Sequence, residues 1–149
     1  MRVRRTASVI VAAVVALTGA ACTATSPGAP VPASSAATQG AVPAFGAALS
    51  AHQFKASLDV PGVTVLDVRT PSEFAGGHLE GARLADINGD FEKAVAGLDR
   101  SAPYAVYCRS GARSAAALAA MKRLGFTNAW HLDGGIGAWQ AAGNPVVKG

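Results

Sequence analysis

Cys108 is followed within six positions by two arginines, a glycine and two serines: Arg109, Ser110, Gly111, Ala112, Arg113, Ser114. A cysteine attacks as its thiolate, and neighbouring arginines and helix-start amides both favour that anion. Small residues let a backbone curl tightly, and Gly111 accepts positive φ. A loop curled ahead of a helix turns several N–H groups inward and makes a cradle for an anion. Arg109 and Arg113 add planar, two-pronged donors suited to an oxyanion. The competing reading is a buried, inert cysteine at a strand end, the common state of a free cysteine. The arginines and glycine beside Cys108 argue against it. No Cys/His cluster has metal-ligand spacing, so neither a metal nor a cofactor is expected. His52, His78 and His131 are isolated and read as surface or turn residues.

Such a loop works only if a strand and a helix hold its ends. Residues 104–107 (YAVY) form a short apolar run, as a buried strand does, and lead into Cys108. Residues 112–124 are Ala-rich, place Ala117, Met121 and Leu124 on one face, and are followed by Gly125 as a C-terminal cap. Upstream, Ser50 and Gln53 form a capping box that opens a helix to about Leu58. Pro61 and Gly62 make a turn, and residues 63–68 (VTVLDV) read as a buried strand. Thr70 and Glu73 form a second capping box with Pro71 at the first helical position, and Gly76 and Gly77 end that helix early. Residues 82–84 fit a short strand, 91–98 have helical spacing, 129–132 are a last strand, and 134–142 a last helix closed by Gly143 and Pro145. This alternation predicts an α/β domain with a mostly parallel central sheet and helices on both faces. Ligands of such sheets bind beyond the carboxyl ends of the strands, where Cys108 falls.

Three segments, in order, resemble the rhodanese family. Residues 66–74 (LDVRTPSEF), continuing through 77–82 (GHLEGA), look like its N-terminal signature. Residues 108–114 look like its active-site loop, and 132–139 (LDGGIGAW) like its C-terminal signature. The likeness runs from about Leu49 to Val146 and implies a single rhodanese-like domain. It also implies a two-step sulfur transfer. Cys108 takes the outer sulfur of a small anionic donor such as thiosulfate, becomes a persulfide, and yields the sulfur to cyanide, a thiol or a protein acceptor. Arg109, Ser110, Gly111, Ala112, Arg113 and Ser114 would bind the anion, with Arg109 facing substrate and Arg113 closing the loop. Asp67 and Arg69 would be structural support, as would His78 and Trp139. Related phosphatases and arsenate reductases place five residues between cysteine and arginine. Here four separate Cys108 from Arg113, the shorter loop that suits a persulfide in this family. The other alternative is a non-catalytic binding module, and such modules usually lack the cysteine.

The chain of 149 residues allows one domain plus extras. Arg2, Arg4 and Arg5 precede an uncharged apolar stretch of eleven residues, 7–17, and then small residues up to Cys22. The stretch is short for a membrane span and fits a signal peptide, 1–21. The segment resembles a bacterial lipoprotein signal, with Gly19 where leucine is usual, and the resemblance implies lipidation of Cys22. The protein is then exported and anchored on the outer face of the cell membrane. Ordinary cleavage and release, to a secreted or periplasmic soluble form, is the alternative. A single Cys22–Cys108 disulfide is the bland reading of two cysteines, but each has a better local explanation. Residues 22–45 hold four of the eight prolines and no charged residue. Such a segment cannot bury enough apolar surface to offset its ordering entropy and reads as a disordered tether. The domain is 46–149. With the three leader arginines set aside, ten basic residues face nine acidic ones, a net of +1 that gives no basis for nucleic-acid binding.

Overall fold

The computed structural model describes residues 41–149. The signal peptide, Cys22 and all but the end of the tether lie outside the described residues. Ten elements follow in chain order: β1 (Ala48–Leu49), α1 (Ala51–Ser57), β2 (Thr64–Asp67), α2 (Pro71–Gly76), β3 (Arg83–Leu84), α3 (Phe91–Val95), β4 (Pro103–Tyr107), α4 (Ala112–Arg123), β5 (Asn128–Leu132) and α5 (Gly135–Ala141). The strands form one sheet in the order β1-β5-β4-β2-β3, and every pairing is parallel.

The local signals act as expected. Both capping boxes form: Ser50 accepts from the Gln53 N–H and Thr70 from the Glu73 N–H, while each partner side chain reaches back to its cap. Pro71 opens α2, where a missing N–H costs nothing. Helix α3 stops at Val95, shorter than the apolar spacing to Leu98 suggests. The chain tightens there, with Ala96 N–H bonding Lys93 O and Leu98 N–H bonding Val95 O, three residues back in each case. Strand β1 has only two residues, too few for a period to show in sequence; it enters the sheet by pairing with His131 and Leu132.

Strand alternation divides the core in two. Tyr104, Val106 and Cys108 pack on one face of the sheet with Phe91 and Val95 of α3 and Ala117, Leu118 and Met121 of α4. Ala105 and Tyr107 pack on the other, with Ala51 and Phe54 of α1 and Ile136 and Trp139 of α5. Burying each large apolar side chain stabilises by roughly 1.5–3 kcal/mol. Leu124 is partly buried against the first cluster. His78 is not a surface residue. It is buried, stacked on Phe74 at 3.7 Å, and joined to Val147 by an isolated antiparallel bridge. Trp139 is core, and its indole N–H donates to Pro145 O at 2.8 Å.

Candidate active site

Strand β4 ends at Tyr107 and delivers Cys108 at the carboxyl edge of the sheet. Helix α4 begins four residues later, capped by Gly111 at φ 100°. That backbone conformation folds the Gly111 N–H back onto the Cys108 sulfur, 3.1 Å away. The thiol is wholly buried. Burial raises its pKa, but the Ser114 hydroxyl and the N–H groups of Ser114, Ser110 and Gly111 outweigh it and bring the pKa below the ordinary cysteine value. Cys108 is a free thiol.

Helix α5 holds the other side of the loop. Ile136 N–H donates to Cys108 O at 2.8 Å and Gly137 N–H to Arg109 O at 3.4 Å. The backbones come so close that a Cβ on Gly135 would lie 2.4 Å from Cys108 O, and Gly135 sits at φ +58°. The loop's amides thus face its sulfur while two of its carbonyls are taken up by the next helix.

The two arginines of the loop differ. Arg113, in the first turn of α4, forks onto Glu73 of α2, with Nη1 donating to Oε2 at 2.8 Å and Nη2 to Oε1 at 2.7 Å. That guanidinium, followed by the Thr70 bonds, brings the Glu73 carboxyl down to about 2 despite partial burial. Arg109 is exposed and, among the described residues, makes no side-chain hydrogen bond. It lines a cavity of about 310 Å³ with Glu73, Gly77, Ile136, Gln140 and Val146. Of the two candidate anion-binding cations, only Arg109 presents its charge to this cavity unpaired.

Asp67 and Arg69 form a buried pair at the end of β2. Arg69 Nε donates to Asp67 Oδ1 at 2.9 Å and Nη2 to Asp67 Oδ2, and Nη2 also donates to Gly77 O at 2.7 Å. The guanidinium stands 5.5 Å from the Tyr107 ring centroid. Burial and the neighbouring Asp67 raise the Tyr107 phenol, whose oxygen accepts from Leu79 N–H at 3.1 Å. Register places Asp67 beside Tyr107, one residue before Cys108. The pair therefore braces the strand end that carries Cys108.

Three residues matter more here than their sequence signals suggest. Glu73 reads as a helix cap, and its partner Arg113 is forty residues away. Gly135 reads only as part of the start of the last helix. His131 reads as a surface residue, yet it is 8% exposed on β5, with Nδ1 3.1 Å from Ser114 Oγ. The alternation of residues 129–132 carried that information: Ala129 and His131 share the face that meets α4.

The rhodanese-like domain family matches residues 50–142, and the chain belongs to that family. It is 38% identical over 80 residues to the thiosulfate sulfurtransferase GlpE of Pseudomonas aeruginosa, covering 54% of this chain and 72% of that one. It is 45% identical over 80 residues to the probable adenylyltransferase/sulfurtransferase MoeZ of Mycobacterium tuberculosis, covering 52% of this chain; the match spans only 20% of the length of that relative. Among solved structures, the fold is similar to a rhodanese-related protein of Thermoplasma volcanium, with TM-score 0.60, 36% identity, and 68% of this chain and 97% of that one covered. It is also similar to a rhodanese-like domain of Anabaena, with TM-score 0.62, 31% identity, and 68% and 78% coverage.

Proposed function

We propose that the chain is a single-domain sulfurtransferase that works through a persulfide on Cys108. The observation that carries the reading is the Gly111 N–H bonded at 3.1 Å to one buried sulfur, with the Ser114 and Ser110 groups also holding its pKa down. Donors so placed stabilise the thiolate at Sγ, the form that attacks and the form that leaves. In the first step the thiolate forms a bond to the outer sulfur of thiosulfate. The donor's S–S bond breaks, and sulfite leaves with the electron pair. In the second step an acceptor such as cyanide or a thiolate attacks the terminal sulfur, and Cys108 departs as the thiolate. Arg109 at the cavity wall draws the anionic donor, and Arg113 holds the loop shut through Glu73. The family's sulfurtransferase relatives support this reading; a non-catalytic module would have no use for so stabilised a thiolate.

Export and a lipid anchor on Cys22 complete the proposal, supported by the leader sequence. An enzyme so placed has no glutathione pool to keep it reduced, so a local reductant serves Cys108 or it rests as the persulfide. The test uses the full chain with thiosulfate and cyanide. Thiocyanate is expected from the wild type and none from Cys108→Ser, and mass spectrometry after thiosulfate alone will show one added sulfur on Cys108. A Cys108→Ser protein with the wild-type rate would sink the mechanism. Hydrolysis of an aryl phosphate without sulfur addition would favour the phosphatase alternative.

A further inference from the structure

Ser114 Oγ has more neighbours than it has hydrogens. It donates to Gly111 O at 2.8 Å and stands 3.1 Å from His131 Nδ1. The Ser114 hydroxyl also acts on the Cys108 sulfur, as does the Ser114 N–H. Ser114 is 0% exposed and His131 8%. A hydroxyl carries one hydrogen, and a carbonyl can only accept. With that hydrogen on Gly111 O, or turned to an anionic sulfur, Oγ can meet His131 only as an acceptor. Nδ1 must then carry a proton.

The surroundings of the ring agree. Burial lowers the His131 pKa, with Asp133 opposing, so the ring is neutral at pH 7 and holds one proton to place. The ring borders a second cavity of about 260 Å³, lined by Phe45 and by Ala115, Leu118, Ala119 and Lys122 of α4. Lys122 and Asp133 are the charged side chains around it, one from the helix and one from the strand end. Neither is hydrogen-bonded to the ring among the described residues. Ser114 is thus the ring's fixed partner.

We propose that His131 is a positioning residue of the sulfur site, acting through Ser114. Its Nδ1–H holds Ser114 Oγ as an acceptor and reserves the Ser114 hydrogen for two uses. With the resting thiol the hydrogen stays on Gly111 O. With the thiolate, and with the persulfide if the sulfurtransferase reading above holds, it turns to the sulfur anion. No proton is transferred; one hydroxyl rotates. Without the Nδ1–H, Oγ is free to spend its hydrogen on whatever replaces the ring, and the anion loses a donor.

Two measurements on the full chain decide this. The imidazole nitrogen shifts of ¹⁵N-histidine protein at neutral pH are expected to show the Nδ1–H tautomer for His131; the Nε2–H tautomer overturns the proposal. The midpoint of Cys108 alkylation against pH then reads the thiolate directly. Ser114→Ala is expected to raise it by about one to two pH units, the worth of one hydrogen bond to a charged group. His131→Gln, which keeps bulk and polarity but moves the donor away, is expected to raise it by at least half as much. His131→Asn, whose amide sits where Nδ1–H sat, is expected to stay near the wild type. Ser114→Ala with His131→Gln should be no worse than Ser114→Ala alone, because both remove one bond. A His131→Gln midpoint equal to wild type, or a double variant showing the sum of the two effects, overturns it. Alkylation does not depend on sulfur transfer. Absent thiocyanate formation with this midpoint pattern refutes the enzyme reading and supports the positioning role; active transfer with unmoved midpoints does the reverse.

Discussion

Gly135→Ala is a substitution of one methyl group with a large expected effect. The new Cβ would stand 2.4 Å from Cys108 O, 2.5 Å from the Arg109 carbonyl carbon and 2.6 Å from its oxygen. These are backbone atoms, so no side chain can swing aside. Ordinary contact begins near 3.4 Å, so the loop and the helix start must part by about 1 Å. Three costs add. The left-handed backbone at φ +58° costs a non-glycine residue about 1–2 kcal/mol. Losing the Ile136 N–H to Cys108 O bond costs about 1 kcal/mol. Forced separation of packed backbone costs about 1–3 kcal/mol more. The sum is about 3–6 kcal/mol, a fall in Tm of more than 10 °C for a domain of this size. The catalytic consequence is separable. A 1 Å displacement of a reacting group costs on the order of 100-fold in rate, so thiocyanate formation per folded molecule is expected to drop by about that factor. Gly143→Ala is the control. It has φ +75° but nothing within 4 Å of a new Cβ, so it carries the backbone cost alone and leaves the loop in place. Transfer by Gly135→Ala within twofold of the wild type, with an unchanged Tm, would refute the claim that α5 sets the loop.

Asp67→Ala leaves the Arg69 guanidinium buried without its carboxylate, a loss of about 3–5 kcal/mol in urea unfolding, and adding Arg69→Met is expected to return part of it; a loss under about 1 kcal/mol contradicts the bracing role. The folded Glu73 carboxyl lies at about 2 against an ordinary 4.5, so its pair with Arg113 stabilises fully above about pH 5 and loses that contribution as pH falls towards 2. With 28% of the Glu73 side chain exposed, screening reduces the effect to about 1 kcal/mol. Glu73→Gln is therefore expected to be less stable by about that amount at pH 7 and equal to wild type near pH 2, and a gap constant across that range counts against the ion pair. For the tether, fatty-acid labelling in the native host is expected on the wild type and not on Cys22→Ala; an unlabelled wild type removes the anchor.

The elements were legible because their signals are local. A capping box spans four residues, a buried strand shows as an apolar run, and Ser50, Thr70, Pro71 and the Tyr104–Tyr107 stretch each act within their own turn. Cys108 stood out for the same reason, since loop, glycine and helix start are contiguous. What stayed hidden was contact across sequence distance. Arg113 reads as a free cation because Glu73 is forty positions away and already has a role as a cap. His131 reads as a lone histidine because its partner Ser114 belongs to the loop motif. Strand β1 is hidden by brevity, and the end of α3 by a tightening of the chain that apolar spacing does not record.

These long-range contacts explain why three separated segments belong together. Burial alone would push the Cys108 thiol up; the Ser114 hydroxyl and the N–H groups of Ser114, Ser110 and Gly111 reverse that. Amides can point inward only if the carbonyls between them are satisfied elsewhere, because each peptide unit carries both groups. The segment at 132–139 meets that need, with the helix-start N–H groups of Ile136 and Gly137 taking the carbonyls of Cys108 and Arg109. The segment at 66–74 supplies the rest. Asp67 and Arg69 brace the strand neighbour of Cys108, and Glu73 pins the first turn of α4 through Arg113. Remove either support and the curl that faces the sulfur is no longer the loop's lowest-energy shape. The lowered pKa of the Cys108 thiol is therefore a property of all three segments, which is the physical reason a change at Gly135 or Glu73, neither of which bonds to the sulfur, is expected to be felt there.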